Sequence, residues 1–71
     1  MNGRPVKRSL TLKGHRTSVS LEDAFWAAFR EIATERGVPI NALAAEIDAN
    51  RDPGTGLASA IRVFVLNRYR G

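Results

Sequence analysis

Residues 16–26 read Arg-Thr-Ser-Val-Ser-Leu-Glu-Asp-Ala-Phe-Trp. The first six alternate. Thr17, Val19 and Leu21 fall on one side of an extended chain, and Arg16, Ser18 and Ser20 on the other. The alternation then stops and helical spacing takes over. Ser20 is placed to cap a helix, Asp23 lies three residues on as in a capping box, and Glu22 and Asp23 suit a helix N-terminus. Phe25, Ala28, Phe29 and Ile32 recur at helical spacing, widened by Trp26 and Ala33, so the helix is predicted over about 22–36 with Gly37 as its stop.

Downstream, Pro39 suits a first helical turn, and Ile40, Leu43, Ala44 and Ile47 stand at i, i+3, i+4 and i+7. This predicts a second helix over about 39–50. Asp52-Pro53-Gly54-Thr55-Gly56 is turn-forming, with Thr55 as the expected cap of the next helix. A third helix is predicted over about 56–69 on Leu57, Ile61, Phe64 and Val65. Val63 and Leu66 make it apolar on more than one side, as for a helix buried between subunits. Upstream, Leu10 and Leu12 alternate with polar residues until Gly14 interrupts, so strand is predicted over about 9–21. Two readings of Gly14 stay open, a turn between two strands or a bulge in one. Residues 1–8 read as a basic flexible arm.

The chain has 71 residues, room for one domain. So small a core needs a staple; with no Cys and one His, disulfides and a structural zinc site drop out, leaving oligomerisation. No cofactor is expected. No apolar run is long enough for a membrane span and no signal peptide stands at the start, so a cytoplasmic location is expected. His15 has no carboxylate near it in sequence and Gly54-Thr55-Gly56 lacks a phosphate-loop Lys, so no enzyme constellation is expected.

Charge is unevenly spread. Residues 1–21 carry Arg4, Lys7, Arg8, Lys13 and Arg16 and no acid, whereas residues 22–52 hold all seven acids against three Arg. An acid-free basic segment is the footprint of a nucleic-acid binder. Arg can bind guanine bidentately and Ser can contact base edges or phosphates, so Arg16, Ser18 and Ser20 form a candidate base-reading face. Two such strands paired across a dimer would make a ribbon that fits the DNA major groove.

The run from His15 to about Arg51, with Arg16–Trp26 and Arg36-Gly-Val-Pro-Ile-Asn-Ala-Leu as its carriers, resembles the ribbon-helix-helix family. Residues 7–26 look more narrowly like a small bacterial subgroup of it. The resemblance implies a mainly helical fold with one short β ribbon. It implies an intertwined homodimer that regulates transcription by placing an antiparallel ribbon in the major groove. Arg16, Ser18 and Ser20 match the base-contacting strand positions. Backbone groups at the start of the second helix, around Val38 to Asn41, match the family's phosphate anchor. Arg4, Lys7, Arg8, Lys13 and His15 are the remaining candidates for the DNA backbone. Three points stay open. The stretch 8–13 competes as the reading strand, bringing Thr11 and Lys13 to the face. The third helix competes as the family's second, which would make Thr55 and Gly56 the anchor. An antitoxin-like or adaptor role through the last helix is the alternative function.

Overall fold

A computed structural model describes residues 3–71; Met1 and Asn2 of the expected arm lie outside the described residues. Two strands, β1 (Val6–Leu12) and β2 (His15–Leu21), precede three helices, α1 (Asp23–Arg36), α2 (Ile40–Asn50) and α3 (Leu57–Arg70). The strand therefore starts at Val6, inside the expected arm, and it is not one strand but two.

Gly14 is a turn residue. Lys13 and Gly14 have φ of 51° and 85°, and positive φ at both central positions is the type I′ signature, whose twist matches that of paired strands. The strands pair antiparallel from Val6↔Leu21 to Leu12↔His15. The ribbon expected from two copies is thus assembled within one chain. Directly opposed residues share a face. Val6, Arg8, Leu10, Leu12, His15, Thr17, Val19 and Leu21 lie on the inner face, and Lys7, Ser9, Thr11, Arg16, Ser18 and Ser20 on the outer.

The inner face meets the helices. Leu10, Val19 and Leu21 join Phe29, Ile32, Ala33, Leu43, Ala44, Ile47, Ile61 and Val65 in one buried cluster. Phe29 is its centre, fully buried, with the Phe64 ring edge-on at 6.3 Å and Trp26 at 6.2 Å between centroids. The apolar stripes predicted for α1 and α2 supply this core. α3 buries only Ile61 and Val65 fully and leaves Val63 and Leu66 exposed.

α1 ends at Gly37, φ 69°. Gly37 N–H donates to Thr34 O and Val38 N–H to Ala33 O, the paired bonds of a Schellman stop. Helix starts differ from expectation. The cap position of α1 is Glu22, not Ser20, and that of α3 is Gly56, not Thr55; neither makes a side-chain cap bond. β2 runs on through Leu21, which carries Ser20 outward in the strand. Thr55 N–H closes a turn on Asp52 O instead.

Arg62 fastens α3 to the strand–helix junction. Its Nε donates to Glu22 Oε1 (2.9 Å), and its Nη2 donates to Ser20 O (3.0 Å) and Glu22 Oε2 (3.3 Å). The Arg62 hydrogen bonds hold the Glu22 carboxyl below the ordinary glutamate value. A carboxyl whose folded pKa is depressed adds stability above its unfolded value and loses it as pH falls through the folded one. Glu22→Gln should therefore lower stability at neutral pH and flatten the acid limb of a urea-unfolding series. Superimposable acid limbs for the two proteins would show that the pair contributes nothing.

Candidate nucleic-acid interface

The outer face of the hairpin is wholly polar and free of acids. Its cross-strand pairs are Lys7 with Ser20, Ser9 with Ser18 and Thr11 with Arg16, all exposed. Two cations lie at diagonal corners, and four hydroxyls fill the space between. Hydroxyls donate and accept, and arginine presents a fixed fork, so the set suits base edges and phosphates. Arg16, Ser18 and Ser20 lie together here as the alternation requires. Ser20 has no capping duty. Lys7, Ser9 and Thr11 complete the face from β1, so both competing strands contribute. The alternation of Lys7, Ser9 and Thr11 against Leu10 and Leu12 carried that signal; what was missing was the pairing partner.

The remaining cations divide. Lys13 sits at the exposed tip and Arg4 is exposed ahead of β1. His15 is exposed beside the turn, on the inner side of the strand. Arg8, expected at the DNA backbone, faces the helices instead. It pairs with the Asp23 carboxylate, lies 5.5 Å over the Trp26 ring and is 18% exposed. The reason is parity: residue 8 shares the inner side with Leu10 and Leu12, and Trp26 and Asp23 offer it a π face and a counter-charge.

The start of α2 lies beside β1, because Thr11 N–H donates to Asn41 Oδ1 at 3.0 Å. Of the four residues expected as a phosphate anchor, Val38 spends its N–H on Ala33 and Pro39 has none. The first-turn N–H groups of Ile40 and Asn41 are left to meet an anion. No acid stands in the first turn of α2 or α3, whereas α1 has Asp23.

Among the described residues no group of His, Asp and Glu could hold a metal ion, and no helix is long and apolar enough to cross a membrane. A two-stranded ribbon with a polar, cationic face, carried on a helical layer, is the arrangement with which β-ribbon proteins meet nucleic acid. The chain matches the ribbon-helix-helix domain family over residues 5–69 and belongs to it. Domains of this family are DNA-binding and regulatory modules. No curated protein and no solved structure matches the chain.

Proposed function

We propose that this protein is a transcriptional regulator that places its own hairpin in the major groove of double-stranded DNA. Arg16, Ser18 and Ser20, with Lys7, Ser9 and Thr11 opposite, meet base edges and nearby phosphates. Arg4, Lys13, His15 and the α2 start around Asn41 meet the backbone. One observation supports this above the rest: the solvent face of the ribbon carries two cations, four hydroxyls and no carboxylate. A cytoplasmic location on the nucleoid goes with it.

The homodimer belongs to the same proposal. Eleven described residues form the buried cluster, a small core for an independent chain. Joining two hairpins edge to edge would put the outermost of four strands about 14 Å apart at the usual strand spacing. The groove is only about 12 Å wide. Self-association that preserves a groove-sized ribbon therefore uses another surface, and α3 provides one. Val63, Leu66 and Tyr69 are 55%, 48% and 61% exposed. The same patch supports the second reading, an adaptor or antitoxin-like module whose partner is a different protein.

The test is binding to random-sequence duplex across a salt series, on protein whose mass is measured by sedimentation. Binding should fall steeply with salt, with a log–log slope of about −0.9 per phosphate neutralised. A folded protein that shows no binding at low salt would sink the DNA reading. Leu66→Glu should convert dimer to monomer and weaken DNA binding while the chain stays folded. A wild-type protein that is already monomeric would turn attention to a foreign partner for α3.

A further inference from the structure

Inner-face residues of a hairpin on a helical layer are normally covered, as Leu10, Val19 and Leu21 are. The tip breaks that rule. His15 and Thr17 lie on the inner face and remain exposed, and Leu12 is only half-buried. The helices cover the tip only in part, and a cleft of about 460 Å³ opens between it and α2. The hairpin side brings Lys13, His15, Arg16 and Thr17, and the α2–α3 side brings Asp48 and Arg51, with Leu57 of α3 at the edge.

The charges in this cleft are not balanced. Arg51 Nε donates to Asp48 Oδ1 at 2.8 Å, which neutralises the one acid. Arg51 Nη1 donates to Thr55 O at 2.7 Å. The guanidinium is thereby fixed, and the hydrogens on Nη2 remain for a further acceptor. Lys13 and Arg16 form no salt bridge among the described residues. Two uncompensated cations, an orientated guanidinium, an imidazole and a hydroxyl thus line one opening. A tetrahedral anion with several acceptor oxygens suits donors arriving from two walls, whereas a planar carboxylate serves a single fork. Arg16 belongs both to this cleft and to the outer face, so an anion bound here lies at the margin of whatever the ribbon reads.

We propose that the cleft under the hairpin tip binds a phosphate group and, resting on the DNA reading above, that in the complex this is a backbone phosphate of the strand passing the tip. It is separate from the start of α2, where Asn41 reaches Thr11.

The test uses the full chain, isotope-labelled for NMR, and two variants. Lys13→Asn removes a charge while placing Asn-Gly, the favoured type I′ pair, in the turn. Thr17→Val removes the cleft hydroxyl without changing charge or strand propensity. Titration with inorganic phosphate at constant ionic strength should move Lys13, His15, Thr17 and Arg51 saturably and leave Ser9 and Ser18 still. Both variants should weaken phosphate binding several-fold. Toward DNA, Lys13→Asn should shrink the salt slope by about 0.9. Thr17→Val should lower affinity several-fold at unchanged slope. Phosphate shifts with unaltered DNA binding in both variants would assign the cleft to free phosphate and overturn the backbone assignment. Phosphate shifts in a protein that binds no DNA would keep the cleft and remove the DNA reading. DNA that moves Ser9 and Ser18 while neither DNA nor phosphate moves the cleft would overturn this proposal, and with it the backbone contacts of Lys13 and His15, while the outer-face reading stands.

Discussion

On an operator selected from random-sequence duplex, Arg16→Ala is expected to weaken binding by about 1–3 kcal/mol, roughly 5- to 150-fold, if its fork grips a guanine. Arg16 is exposed on the outer face opposite Thr11 and makes no salt bridge among the described residues. Removing it should leave the fold unchanged, because surface changes away from the core, caps and buried polar networks stay within about 0.5 kcal/mol of neutral. The loss should concentrate at one base pair. Operators altered there should separate wild type and variant far less than the parent operator does, the remainder being the charge Arg16 brings to the cleft. Lys7→Ala gives the contrast. A lysine is a point charge on a flexible stem, so it should weaken all sequences by a similar factor and reduce the salt slope by about 0.9. Competition binding against a panel of single-base operator variants separates the two outcomes. If Arg16→Ala keeps both affinity and discrimination, the outer face is not the reading surface.

How far the sequence could lead is clearest at four places. The helical core was legible because it is periodic. Leu43, Ala44 and Ile47 are buried as their spacing requires, and Gly37 sits in the left-handed stop its position implies. The turn was half-legible. Gly14 marked a break, but Lys13 is an unusual first residue for a type I′ turn, so the usual Asn-Gly or Asp-Gly signal was absent. With Gly14 undecided, β1 had no partner, and Lys7, Ser9 and Thr11 could not be joined to Arg16, Ser18 and Ser20 as one surface. Arg8 was illegible. Its charge pointed to DNA, and only the tertiary meeting with Trp26 and Asp23 shows it serving the fold. Capping failed for a related reason. Ser20 has the right chemistry for a cap, but β2 pairing extends to Leu21, and pairing over seven residues outweighs one cap bond worth about 1 kcal/mol.

The largest stability effect should come from Phe29→Ala. The ring is fully buried and is flanked by Trp26 and Phe64, so it joins α1 to α3 under the ribbon. Truncating a buried Phe to Ala removes its transfer free energy and leaves a cavity, about 3–5 kcal/mol together. A core in a chain of this size rarely provides more than about 3–5 kcal/mol in all. The variant should therefore be largely unfolded at room temperature, with helical circular dichroism lost and no cooperative urea transition. Phe29→Leu keeps most of the volume and should cost far less, leaving a cooperative transition at lower urea. DNA binding gives the second half of the argument. Phe29 lies on the far side of the sheet from the outer face, so its loss acts only through the folded population. Added DNA should then restore helicity in Phe29→Ala, because a ligand that binds only the folded state pulls the equilibrium toward it. A Phe29→Ala protein that unfolds cooperatively within about 1 kcal/mol of wild type would mean that the helices do not converge on this ring. The ribbon would then need a different support beneath it.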